Sequence, residues 1–240
     1  MVRPPFGTFA ERAVTAPSMC LPIPEALDDV TVAAIMNPGM SSWAALLRAQ
    51  FVAGESVLIL GATGVAGQLA VQVAKRLGAR RVVAAGRNPQ VLEELKQQGA
   101  DAVISLSQGR ESVVSSLRSE WVKDRFDVVL DYVWGNPAEN LLEAISQKGR
   151  GASRIRFVQV GESAGPTIAL PAATLRSGGL ELLGSGFGSV SIEQIFAAVA
   201  KFLSEAEKEP FQIKTTAAPL SEVEYLWNSA QQGARLVFQP

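Results

Sequence analysis

Residues 58–70 read LILGATGVAGQLA. Ser56 to Leu60 is short, apolar and stopped by glycine, which predicts a buried strand. From Val65 the apolar positions Leu69, Val73 and Leu77 recur at helical spacing, and Gly78 is placed to cap the end. Between strand and helix, Ala62-Thr63-Gly64-Val65-Ala66-Gly67 is an A-x-G-x-x-G form of the dinucleotide fingerprint, with Gly61 just before it. Gly64 lets the backbone approach a pyrophosphate, and Gly67 lets the helix pack close to the strand. The first helical turn offers its free N–H groups to the phosphates. A tight turn with no ligand is the plainer reading of the same glycines. The strand before them, and the helix and second strand after them, favour the nucleotide.

Outward from the loop, strand and helix patterns alternate. Strands are expected at Arg81 to Ala85, Ala102 to Leu106, Phe126 to Tyr132, Ile155 to Val160 and Leu180 to Leu183. Helices are expected at Pro89 to Gln98, Glu111 to Glu120, Pro137 to about Gln147, and Ser191 to about Lys208. Such alternation implies an α/β fold, a doubly wound parallel sheet covered by helices on both faces. Ligands then bind beyond the carboxyl ends of the strands. The ends of the chain differ. Residues 1–38 are proline-rich and aperiodic; residues 210–240 read as a strand at Phe211 to Thr215, a helix from Ser221 to Gln232, and a last strand at Leu236 to Phe238 after Gly233.

The second strand ends in Ala85-Gly86-Arg87-Asn88. NAD-binding folds place Asp or Glu here to bond the ribose 2′-hydroxyl. A carboxylate repels a 2′-phosphate, glycine makes room for one, and arginine grips it through two N–H groups. The pattern favours NADP(H) over NAD(H); the bland alternative makes Arg87 a solvated surface charge.

Composition limits the chemistry. Of 240 residues, 48% are hydrophobic and 19% charged, enough for a sizeable core. Lys+Arg 22 against Asp+Glu 23 gives no reason to expect a nucleic-acid or membrane-surface partner. The cluster Lys75, Arg76, Arg80 and Arg81 fits the C-terminal end of a helix equally well. No apolar run is expected to reach the roughly 20 residues of a bilayer span, and the N-terminus has no signal-peptide pattern. A soluble, cytoplasmic protein is the expectation. Cys20 is the only cysteine and there are 0 histidines, so no disulfide, zinc site or nucleophile–histidine pair is expected from these residues. Hydride transfer fits, because the cofactor carries the hard step.

Short-chain reductases also carry GATGxxG, but need Tyr-x-x-x-Lys. Tyr132 and Tyr225 are followed at that spacing by Asn136 and Ser229. The flanks resemble the medium-chain dehydrogenase/reductase superfamily. Gly7-Thr8-Phe9-Ala10-Glu11, Leu21-Pro22-Ile23-Pro24 with Ala33-Ala34, Asn37 to Leu46, Gly99-Ala100-Asp101-Ala102-Val103-Ile104, Pro219 to Val223 and Leu236 to Phe238 are similar to its successive segments. The zinc-less, quinone-oxidoreductase-like branch is the nearest in pattern.

That resemblance implies a Rossmann domain over residues 39–209, with remnants of a GroES-like catalytic domain at 1–38 and 210–240. Most of the GroES-like half is expected to be absent. It implies an NADPH-dependent reductase of a quinone, enone or related carbonyl compound, and a homodimer paired through Leu180 to Leu183. Site residues carry over by position. Ser41 lies near the nicotinamide, and Gly61 to Gly67 form the pyrophosphate loop. Gly86, Arg87 and Asn88 meet the ribose. Tyr132, Val133 and Gly135 follow the fourth strand. Val160, Gly161, Glu162 and Ser163 flank the nicotinamide, and Ser185, Gly186 and Phe187 close over it. Ser41 and Tyr132 are candidate proton donors. No metal is implied. The alternative function is a non-catalytic NADPH-binding module acting as sensor or interaction partner.

If Arg87 grips a 2′-phosphate, Arg87→Ala weakens NADPH binding and leaves NADH binding almost unchanged. Titration of both cofactors checks this, and equal losses remove the argument.

Overall fold

The computed structural model describes residues 9–146, 154–229 and 234–240. A 3-10 turn at Pro17–Met19 precedes α1 (Asp29–Arg48), β1 (Ser56–Leu60), α2 (Val65–Arg76), β2 (Arg81–Gly86), α3 (Pro89–Gln97) and β3 (Ala102–Ser105). Then come α4 (Arg110–Lys123), β4 (Val128–Asp131), α5 (Gly135–Ile145), β5 (Ile155–Gln159), α6 (Ala172–Ser177) and β6 (Leu180–Gly184). The chain closes with α7 (Ile192–Lys208), β7 (Thr215–Pro219), a 3-10 turn at Leu220–Glu222, α8 (Val223–Leu226) and β8 (Arg235–Gln239).

The main sheet has 6 strands in the order β3-β2-β1-β4-β5-β6, all parallel. This is the doubly wound α/β order expected from the alternation, with its switch point between β1 and β4. Strand periodicity divides the core. Val57, Ile59, Val82, Ala84, Val128 and Leu130 face one layer, with α1, α2, α3 and α7. Leu58, Leu60, Val83, Ala85, Val129 and Phe157 face the other, with α4 and α5.

Asp28 caps α1, accepting from the Thr31 N–H at 2.9 Å. The helix then runs unbroken through Pro38, so the division between residues 38 and 39 falls inside it. Its 20 residues have the length and mean hydropathy, 1.3, of a membrane span, against the expectation that no run reaches it. The core accounts for that apolarity: 61% of the span is buried in the fold, with Trp43 edge-on to Phe202 of α7 at 6.3 Å. Gly39 makes this crossing feasible, because a Cβ there would lie inside the Phe202 ring.

The C-terminal region differs from its pattern. Phe211 belongs to no strand; it stacks on Phe202 at 4.8 Å beneath the Arg76 guanidinium. The strand begins at Thr215 instead and pairs in parallel with β8. The helix expected from Ser221 shrinks to a 3-10 turn and α8, leaving Tyr225 and Trp227 exposed. Pro137 stands third in α5 rather than first, where its missing N–H still costs no helical bond. α6 had no expected counterpart. Gly7, Thr8, Gln147, the end of the expected helix at residues 230–232, and Gly233 lie outside the described residues.

Gly39→Ala forces α1 and α7 apart. The expected cost is about 1–3 kcal/mol, read from urea unfolding; an unchanged midpoint would mean the ring moves aside freely.

Candidate dinucleotide site

The loop from β1 to α2 is built from three glycines with different surroundings. Gly61 has φ +84°, and a Cβ there would sit 2.7 Å from Val133 Cγ1. Its N–H and that of Ala62 both donate to the Ala85 carbonyl at 2.9 Å, joining the loop to the end of β2. Gly67 is closed by the loop backbone itself: a Cβ would lie 2.5 Å from Ala62 Cα and nearer still to the Gly61 carbonyl. Gly64 is exposed and begins α2 with ordinary extended backbone, φ −78° and ψ 161°. A Cβ on Gly64 meets the protein only at 3.5 Å. Packing therefore requires glycine at 61 and 67 and not at 64. The space in front of Gly64, at a helix N-terminus without a side-chain cap, is shaped for a phosphate. Thr63, Val65 and Ala66 are half-buried around it.

At the end of β2, Gly86 is buried under Thr63, whose Oγ1 would stand 2.8 Å from a Cβ. That contact explains the glycine without a ligand. Arg87 is exposed, and among the described residues its guanidinium has no hydrogen-bond or ion-pair partner. The Asn88 Oδ1 caps α3, accepting from Gln90 and Val91 N–H groups at 3.0 and 3.2 Å. Its oxygen is thus committed to the helix.

The loop after β4 is organised by Asp131, a residue that no sequence motif marks. Its carboxylate is fully buried, and Oδ1 accepts from the Val133 and Trp134 N–H groups at 2.9 Å. Oδ2 has no partner. The turn holds Trp134 at φ 56° and ψ −153°, a region that ordinarily belongs to glycine. The Trp134 ring packs edge-on to Phe157, away from the dinucleotide loop. Gly135 follows at φ +55°, with Ala164 O where a side chain would be. Gly161 lies equally close to the Tyr132 carbonyl, and the Ser163 hydroxyl donates to that carbonyl at 3.3 Å. Glu162 is exposed, and its carbonyl accepts from the Gly165 N–H at 3.0 Å.

A cavity of about 190 Å³ brings together Ser41, Val160, Ser185, Gly186 and Phe187, with Asn37, Met40 and Ile195 from α1 and α7. Five of the expected site residues therefore share one wall. Tyr132 does not line it. Its phenol donates to Ser42 Oγ at 3.1 Å, and Ser42 donates on to the Pro38 carbonyl at 3.2 Å. Burial raises the Tyr132 pKa, against the smaller effects of Ser42 and Ser41. Ser41 also donates to Pro38 O, at 2.7 Å. Ser42 was not among the expected site residues; its buried hydroxyl in an apolar helix is the signal for it.

The zinc-binding dehydrogenase family matches residues 65–205. The chain belongs to that family. Over 235 residues it is 32% identical to the probable NADPH-dependent quinone reductase tdiC of Emericella nidulans, covering 90% of this chain and 63% of the relative. An L-threonine 3-dehydrogenase of Chromobacterium violaceum is 34% identical over 148 residues, 61% of this chain and 42% of that one. The quinone oxidoreductase of Thermus thermophilus, solved also with NADPH, superposes with a TM-score of 0.72 at 27% identity, covering 92% of this chain and 69% of that chain. The matches to tdiC and to the Thermus enzyme support the quinone-oxidoreductase-like branch of the medium-chain dehydrogenase/reductases expected from the sequence. The chain spans about two thirds or less of the relatives it matches. The zinc in the family's name finds no fit here. With 0 His and Cys20 alone, these residues lack the usual donors. Among the described residues no three potential ligands converge.

Asp131 gives this dehydrogenase-family domain a pH signature. Burial pushes its pKa up to about 6, against the lowering effect of the Trp134 and Val133 N–H groups. The folded chain therefore holds this proton more tightly than the unfolded one. Its contribution to stability is greatest in acid and falls as pH rises from the ordinary carboxyl value, 3.8, through about 6. Asp131→Asn removes that slope. Relative to wild type, the variant gains up to about 3 kcal/mol between pH 4 and pH 7. Urea unfolding across that range checks it, and parallel stability curves would refute it.

Proposed function

We propose that this chain is an NADPH-dependent oxidoreductase that passes hydride to a quinone, enone or related carbonyl compound without a metal. The observation that carries the reading is Gly64: the one fingerprint glycine that packing does not require stands where a pyrophosphate would lie. Arg87, exposed and uncommitted at the end of β2, supports the 2′-phosphate form. The names of tdiC and of the Thermus enzyme agree with it.

Bound at this loop, NADPH would supply the hydride. The residues bind, orient and exclude water. The N-terminus of α2 holds phosphate, and the side chain of Arg87 grips the ribose phosphate. Val160 and the Ser185 to Phe187 segment enclose the cavity that would take the reacting ring. Of the two candidate donors, Ser41 is the hydroxyl on that cavity wall; it supplies the proton on release from the Pro38 carbonyl, or solvent does. Tyr132 is read as a positioning residue: its O–H is spent on Ser42, fixing α1 against the end of β4.

In the same reading, residues 39–209, with the rest of α1, form the dinucleotide-binding domain, and the segment before α1 and residues 210–240 belong to a GroES-like domain. The protein works in the cytoplasm as a dimer paired at the β6 edge, where Leu182 is exposed. A non-catalytic NADPH-binding module, acting as sensor or interaction partner, is the second reading.

Gly64→Ala separates packing from binding. Its unfolding free energy should stay within about 0.5 kcal/mol of wild type, while NADPH affinity falls at least about tenfold. Calorimetry measures the second, and unchanged affinity overturns the site. NADPH oxidation across quinones, enones and aldehydes then decides between the readings: binding without turnover selects the module.

A further inference from the structure

The cavity beside Ser41 does not end there. Asn37, Met40 and Ile195 also line a larger trough of about 510 Å³, which runs along α1 and α7 beneath the segment around Met19 to Leu21. From Ser41 back to Ala33 the shared helix face covers about 12 Å at 1.5 Å per residue. The walls are mostly apolar, Val32, Met36, Val199 and Leu203 among them, with Asn37, Asp29 and Thr15 as polar side chains. Every methionine other than Met1 borders it, namely Met19, Met36 and Met40. Thioether side chains re-pack around chains of varied shape, which suits a flexible occupant better than a rigid one.

We propose that this trough binds the apolar tail of a long-tailed quinone whose ring stands in the cavity beside Ser41. The inference rests on the function proposed above for that cavity, and on the residues the two spaces share. Continuity with the ring cavity selects the occupant. A tail attached to a ring at Ser41 can run along the half-open trough, over Met40, Asn37 and Met36 to Ala33. The ring keeps the polar end, and the trough asks for methylenes alone.

Cys20, the single cysteine, is exposed on the trough wall and reports occupancy without turnover. The measurement is the rate of Cys20 modification by a maleimide in the purified chain. It is run with decylubiquinone and with duroquinone, both fully substituted on the ring and so unable to add the thiol at an open carbon. Decylubiquinone should slow labelling saturably and bind at least about tenfold tighter than duroquinone, the equivalent of burying roughly two methylenes. Duroquinone should leave the labelling rate unchanged. Ala33→Glu, an exposed helix position where glutamate is a good helix former, should remove the protection, and Ala33→Leu should keep it. Equal labelling with both quinones, or protection that survives Ala33→Glu, overturns the proposal. So does Cys20 protection that grows with protein concentration in the absence of quinone, which would assign the trough to a second copy. Duroquinone reduction by NADPH is assayed separately. Turnover without tail protection rejects the trough and keeps the hydride reading; protection without turnover does the reverse.

Discussion

α2 stands so close to the end of β1 that no side chain fits at Gly67, and the rest of the site is arranged around that approach. The Gly67 Cα faces the Gly61 carbonyl and Ala62 Cα. This fixes the turn, and the turn sends the N–H groups of Gly61 and Ala62 to Ala85. Thr63 is thereby laid over Gly86, so the ends of β1 and β2 are joined before any ligand is considered. Only Gly64 escapes these demands. A fingerprint glycine is evidence for a ligand in proportion to how little the protein itself needs it. By that measure the loop contains one such residue rather than three.

The other side of the switch point has its own organiser. Asp131 closes β4 with a buried carboxylate whose Oδ1 gathers two N–H groups. A buried charge with one oxygen unpartnered is costly at neutral pH. It holds Trp134 in a conformation that costs on the order of 1–3 kcal/mol. The turn also brings Val133 against Gly61 and the Tyr132 carbonyl against Gly161. The loops after β1, β4 and β5 are thus locked by contacts in which glycine is the only residue that fits. Rigid walls of this kind suit a site that orients reactants rather than one that activates a nucleophile.

The sheet was legible because its central strands β1, β2 and β4 are apolar runs stopped by glycine or by a carboxylate, and the period-2 division into two core layers follows from that. α1 was harder to read. Asn37-Pro38-Gly39 looks like a break, yet the helix passes through it. Proline removes one helical hydrogen bond, and Gly39 is compensated by the Phe202 ring packed where its side chain would be. Phe211 shows the converse error. Its apolar surroundings suggest a strand, whereas its ring completes a stack on Phe202 from an irregular segment. In both cases the deciding partner, Phe202, is far along the chain, and no local pattern points to it. The site residues were legible as loops but not as roles: that Ser42 takes the Tyr132 hydrogen bond, with Ser41 a lesser influence, depends on which side of α1 faces β4.

The cofactor argument changes in the same way. Read as a sequence, Gly86 and Arg87 together favour a 2′-phosphate, one by making room and one by charge. In the structure Thr63 occupies the space that glycine provides, so Gly86 would be needed whichever dinucleotide bound. What remains is the lack of a carboxylate at the end of β2 and a free guanidinium next to it. The first removes a hydrogen bond to a ribose hydroxyl. The second adds a charge-assisted one to a phosphate. Both act on the same few ångströms of the cofactor, and both act in the same direction. The proposed preference for NADP(H) therefore rests on Arg87 and on the missing acid, and Gly86 belongs to the fold.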